Sequence, residues 1–147
     1  MTLVLNGFKV DPALARLMLR DDWRGKRTDA QWLERFPAHP ECERGHLRFV
    51  EFCQPDWAEA ENDALRKPEN SDLLGKPSRA YPPGDFDPTA GYLIGFTEMA
   101  DAPICVDLRP ATPIIIYDCL ANRDQFYATA FASIEEFVQF YTGLHGN

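Results

Sequence analysis

The chain has 147 residues, a net charge of −8 and a pI near 4.8, with 45% hydrophobic and 26% charged residues. That length suits a single domain spanning 1–147 with a substantial core. The acidity argues against a nucleic-acid binder, which needs a basic footprint to displace counterions, and against anionic membrane surfaces, but it suits a basic protein partner.

Met1 is not followed by a basic segment and a long apolar run, so no secretion signal is expected. No apolar run approaches the ~20 residues of a membrane span. A cytoplasmic location follows as the expectation. Cys42, Cys53, Cys105 and Cys119 form no CxxC pair. In a reducing compartment they are expected to be small buried hydrophobes.

Leu3 to Leu5 suggests a short edge strand. Asp11-Pro12 has N-cap and first-turn chemistry. Leu14, Leu17 and Met18 then make one apolar face, with an end expected between Asp21 and Gly25. Asp22 to Arg27 is expected as a polar connection. Thr28 and Gln31 have capping-box spacing, which predicts a second helix from Asp29, stopped by Pro37. Leu47 to Cys53 is short and rich in Phe and Val, which favours a strand. Pro55-Asp56 restarts helical chemistry, with Trp57, Ala60, Ala64 and Leu65 as a modest stripe and Glu59, Glu61 and Asp63 on an acidic face. Lys67 to Pro88 holds five prolines and is expected as a long ordered loop anchored by Leu73, Leu74 and Tyr81.

From Tyr92 onward the pattern is clearest. Strands are predicted at Tyr92–Phe96, Ile104–Leu108, Ile114–Tyr117 and Gln125–Phe131. The short connections between them predict an antiparallel meander, since parallel strands need longer crossovers. Ile114 to Tyr117 is apolar at every position, as expected of burial on both faces. Ser133 and Glu136 form a capping box. Ile134, Phe137, Val138 and Tyr141 then repeat at helical spacing, and Gly143 is expected to end the helix. The fold class predicted is α+β, with a twisted, mostly antiparallel sheet of four to six strands packed against helices.

Chemistry-bearing motifs are sparse. Residues 1–50 are net +2, 51–80 net −3, 81–118 net −5 and 119–147 net −2, so acidity gathers around the meander. His39, Cys42, His46 and Cys53 are zinc-ligand types, but their spacing fits no common finger or ribbon, and packing roles are favoured over a metal. Glu98, Asp101, Asp107 and Asp118 form a carboxylate group whose separations a sequence does not reveal. Asp107 and Arg109, two apart on a strand, share a face and suit a strand-end ion pair. The chain has no nucleophile elbow, no suitably placed Cys–His pair and no phosphate-cradling glycine loop. Neither catalytic residues nor a cofactor are predicted. Trp23, Trp32 and Trp57 are expected in packing roles, with Trp57 beside an acidic face as the one candidate interface anchor.

The series YPPGDFDP (Tyr81–Pro88), Gly95 to Glu98, DAPICVDLR (Asp101–Arg109), PIIIYD (Pro113–Asp118) and TAFASIEEFVQFY (Thr129–Tyr141) resembles the SUKH superfamily. That group includes the fungal Smi–Knr cell-wall regulators and many bacterial immunity proteins. The resemblance covers about the last 65 residues. It implies a non-enzymatic α+β domain that binds a toxin and neutralises it, with a basic toxin domain, such as a nuclease, as the partner. The residues predicted to contact that partner are Trp57, Glu98, Asp101, Asp107 and Arg109. Two other readings stand beside it: a regulatory or scaffold module for a host protein, and a metal-dependent hydrolase using the carboxylates.

Overall fold

The computed structural model describes residues 2–38, 47–69, 83–84, 86–97, 102–119 and 127–147. The chain opens with a hairpin, β1 (Val4–Leu5) against β2 (Phe8–Lys9). Asn6 and Gly7 turn it, both at positive φ (50° and 86°). A two-residue turn of type I′ demands that conformation at both positions, and Asn-Gly supplies it at least cost. Helix α1 (Pro12–Met18) follows, its Asp11 carboxylate accepting from Ala13 N at 2.8 Å and Leu14 N at 3.3 Å. It closes at Leu19, earlier than its sequence pattern predicts.

The segment expected as a polar connection contains a strand, β3 (Gly25–Arg27). Helix α2 (Ala30–Glu34) begins after Asp29, but the capping-box bond expected there does not form. Then come β4 (Val50–Phe52), helix α3 (Pro55–Leu65) and the two-residue β5 (Pro83–Gly84). The predicted meander is present as β6 (Gly91–Thr97), β7 (Pro103–Asp107), β8 (Ile114–Asp118) and β9 (Tyr127–Phe131). Helix α4 (Ile134–His145) closes the chain. It passes through Gly143 and ends at Gly146, whose φ is 82°.

Among the described residues seven strands form one antiparallel sheet in the order β3-β4-β6-β7-β8-β9-β5. This is the predicted α+β class; the added strands are the short edges, β3 and β5. The interior strands are buried along almost their whole length. Two glycines make the packing of β6 possible. A Cβ on Gly91 would lie 2.3 Å from Val106 O, and one on Gly95 would lie 2.2 Å from Glu51 O. The register slips between Leu93 and Gly95, which leaves Ile94 as an extra residue facing the end of β4. There its carbonyl accepts from Cys53 N at 2.9 Å.

One face of the sheet carries Tyr92, Val106, Ile115 and Phe131 in cross-strand register. The helices and the connection between α1 and β3 cover that face with aromatic rings. Trp23 stacks on Phe52 at 4.5 Å, and Phe137 of α4 meets Phe131 at 5.0 Å and Phe52 at 5.7 Å. Trp32 meets Phe140 edge-on at 4.9 Å. Such edge-to-face pairs add to the burial energy of the rings themselves. Two of the buried aromatic residues also bond through their polar tips. Trp23 Nε1 donates to Cys53 O at 2.8 Å, and Tyr117 donates its hydroxyl proton to Pro37 O. Cys53, Cys105 and Cys119 are buried, as expected. No helix among the described residues is long and apolar enough to cross a membrane.

Candidate functional site

Helix α3 is the element on which the strongest surface feature stands. Pro55 occupies its first turn, where a missing N–H costs nothing. Its buried residues are Ala58, Asn62 and Leu65, one turn apart on a single face. This differs from the predicted stripe, because Trp57 and Ala60 point to solvent. The register is set by Asn62, only 3% exposed. Its amide oxygen accepts from Leu93 N at 2.7 Å, and its Nδ2 donates to Leu93 O at 3.1 Å and Ala58 O at 2.7 Å. The side chain thus stands in for the strand residue that β4 is too short to supply. The signal for it in the sequence is a lone Asn four residues after Ala58, on the face that buries Leu65.

The outer side of α3 follows from 100° per residue. Asp56, Glu59 and Asp63 form one exposed edge, Ala60 the crest, and Trp57 with Ala64 the other edge. Trp57 is 56% exposed, the most exposed large apolar side chain among the described residues. Two residues before it, Pro55 lines a cleft of about 220 Å³ between the end of α1 and the start of α3. Leu19, half exposed, and Arg24 line the same cleft. The acidic edge and the Trp57 ring therefore lie on either side of the crest, and the hollow sits at the N-terminal end of the helix.

Asp107 and Arg109 are brought together as predicted. Arg109 Nε donates to Asp107 Oδ1 and its Nη2 to Asp107 Oδ2, both at 2.9 Å, and Arg109 N donates to Oδ1 at 3.0 Å. The carboxylate is buried, with 1% exposure for the residue, whereas the guanidinium reaches the surface. The fork and the backbone bond close the end of β7, which is the structural role favoured for this pair. Asp107 spends both oxygens on that task. Asp118 is likewise buried. Glu98 and Asp101 lie outside the described residues, as do His39, Cys42 and His46 of the zinc-type group. Among the described residues no cluster of His, Cys, Asp or Glu could hold a metal ion.

Trp57 and the Asp107–Arg109 pair do not share a site. Arg66, just past α3, donates to Pro88 O at 3.3 Å, close to the start of β6 that pairs with Asp107. Trp57 lies nine residues earlier, about 14 Å back along the axis at 1.5 Å per residue.

A second polar assembly lies where α4 ends. Arg20 binds Asp22 through both carboxylate oxygens at 2.9 Å and donates to His145 O at 3.1 Å. Tyr141 donates its hydroxyl to Asp22 at 2.8 Å, and Arg27 donates to Tyr141 Oη at 3.1 Å. The Arg20 hydrogen bond, helped by Tyr141, holds the Asp22 carboxyl below its usual range. Arg20, Asp22 and Tyr141 each bond another group of the same chain, so the assembly pins the last turn of α4, although Arg27 Nε is buried without a hydrogen-bond partner among the described residues. Comparison of the chain with protein-family models, with curated proteins and with solved structures finds no match.

Proposed function

We propose that this chain is a non-enzymatic protein-binding domain of the immunity type, which neutralises a cognate toxin by direct contact through the outer side of α3. Trp57 carries the reading. It is an exposed tryptophan on a helix whose other face is fully packed, so its exposure owes nothing to incomplete folding of that element. Tryptophan is the side chain most enriched at the energetic centre of protein interfaces, and a large ring left in water is otherwise unfavourable.

Charge selects the partner. Asp56, Glu59 and Asp63, across the crest of α3 from Trp57, on a chain of net charge −8, favour a basic domain. A nuclease fits, because its nucleic-acid cleft is cationic. The resemblance of the meander and α4 to the SUKH group supports the same role, and that role carries a cytoplasmic location. The partner-facing set centres on Trp57; Asp107 and Arg109 serve the strand end.

Co-expression with the product of a neighbouring toxin gene tests the reading. The chain is expected to co-purify with the toxin and abolish its toxicity. Trp57→Ala should weaken the complex by about tenfold or more while leaving the thermal midpoint unchanged. A toxin that is neither bound nor inhibited, or a Trp57→Ala protein that binds as tightly as the parent, overturns it.

A further inference from the structure

The turn between β1 and β2 is Asn6-Gly7, the one Asn-Gly pair in the chain. An asparagine before glycine carries its own reaction. The backbone nitrogen of the next residue attacks the side-chain amide carbon, and glycine offers that nitrogen with no side chain in the way. Asparagine counts among the thermolabile residues for this reason.

The attacking group is open. Gly7 is exposed, and even an added Cβ would meet nothing within 4 Å. Leu5 and Phe8 are the residues paired across the turn, so their backbone groups close the hairpin. The Gly7 N–H gives no backbone hydrogen bond among the described residues.

The amide under attack is held by a single bond. Asn6 Nδ2 donates to Asp63 Oδ1 at 2.6 Å. Asn6 Oδ1 is buried and has no hydrogen-bond partner among the described residues. A buried amide oxygen without a donor is unfavourable, so the side chain stays in place through Asp63 alone. The Asn6 backbone is tied to the same end of α3, because its carbonyl accepts from Arg66 Nη2 at 3.1 Å.

We propose that Asn6 is a site of spontaneous deamidation that the bond to Asp63 holds in check. When that bond opens, Gly7 N bonds to Asn6 Cγ and the Cγ–Nδ2 bond breaks. The proton released by Gly7 N passes through solvent to Nδ2, which leaves as ammonia. Water then opens the five-membered imide at either carbonyl, giving aspartate or isoaspartate at position 6. Either product places a carboxylate against Asp63 where an N–H stood, so attraction becomes repulsion. Isoaspartate also adds a methylene to the main chain, which a two-residue type I′ turn does not accommodate. The hairpin then loses its side-chain tie to α3. The inference is independent of the role proposed for α3.

Incubation of the full chain in warm, mildly alkaline buffer, followed by peptide mapping with mass spectrometry, tests it. Asn6 should gain the mass difference between an amide and an acid, as a mixture of aspartate and isoaspartate. It should do so at least about tenfold faster than Asn62 in the same sample. Asn62 is the internal control, since its amide is buried and bonded at both ends. Asp63→Ala should speed the Asn6 reaction about threefold or more, the gain expected from losing one hydrogen bond. Glu59→Ala removes a charge from the same edge of α3 and should leave the rate unchanged. Asn6→Asp should lower the thermal midpoint by roughly 3 °C. Asp63 and Glu59 are both exposed, so their variants keep the test decisive. Conversion of Asn6 no faster than that of Asn62, an Asp63→Ala rate equal to the parent's, equal acceleration by Glu59→Ala, or an unchanged midpoint in Asn6→Asp overturns the inference.

Discussion

Asn62 bonds both backbone groups of Leu93 from a helix, at a place where a strand would otherwise be needed. Buried amides of this kind hold their neighbours only while every bond is made. Asn62→Asp keeps the shape but removes the donor to Leu93 O and Ala58 O and buries a charge. A loss of about 3 kcal/mol in urea unfolding is expected. A change below about 0.5 kcal/mol would show that α3 is held by its apolar contacts alone. Gly95 is a second residue whose identity is dictated by a neighbour. Its added Cβ would fall on the Glu51 carbonyl, which is backbone and has little freedom to yield. Gly95→Ala should cost about 2 kcal/mol or more, read by the same unfolding experiment. An unaffected midpoint would mean that β4 and β6 can part without penalty.

At the scale of elements, the last turn of α4 couples folding to pH. Trp32 Nε1 donates to His145 Nε2 at 3.0 Å, and the two rings stack at 5.8 Å. The bond requires a neutral imidazole at that nitrogen. Burial, and then Arg27, lower the His145 pKa, with Asp22 and Asp29 opposing them and Arg20 adding to the decrease. The unfolded chain therefore binds the proton more readily than the folded one. Stability from this group is fully present above the unfolded value near 6.5 and is lost as pH falls through the folded value. The thermal midpoint should fall between about pH 7.5 and 5, with Trp fluorescence changing over the same range. In His145→Gln that slope should flatten. A parent and a variant with identical slopes would assign the transition to other groups. Asp22 and Glu136, both with lowered pKa values, add their own losses at lower pH, in the carboxylate range.

At the scale of the whole molecule, the net charge of −8 governs encounter rather than fold. Raising salt from about 0.05 to 0.5 M shortens the Debye length from roughly 14 to 4 Å. Association with a basic toxin should slow by about tenfold or more over that range, while dissociation changes little. Stopped-flow association of the parent and of Trp57→Ala separates the two contributions: charge acts on the on-rate, the ring on the off-rate. An on-rate insensitive to salt would remove the electrostatic half of the proposed recognition.

The sequence by itself determined the elements whose signals are local. The β6–β9 meander was legible because apolar runs alternate with turn residues, and α4 because Ser133 and Glu136 cap an apolar repeat at helical spacing. The Asp107–Arg109 pair was legible as a strand-end ion pair, but β7 stops at Asp107, and it is the turn after it, not a shared strand face, that brings Arg109 back. Three-dimensional contact decided the rest. Gly25-Lys26-Arg27 has no strand pattern, and it is a strand only because β4 offers an unpaired edge. Gly143 has helix-stopping chemistry, yet the assembly around Arg20, Asp22 and Tyr141 holds the last turn and carries the helix on to His145. Trp57 and Ala60 were expected to pack, but Asn62 found its bonds on β6 and turned the helix so that they face water. The bond from Asn6 to Asp63 joins the first turn of the chain to α3, 57 positions away. No local pattern encodes such a meeting, because distant groups become neighbours only when the sheet is paired and the helices are laid across it.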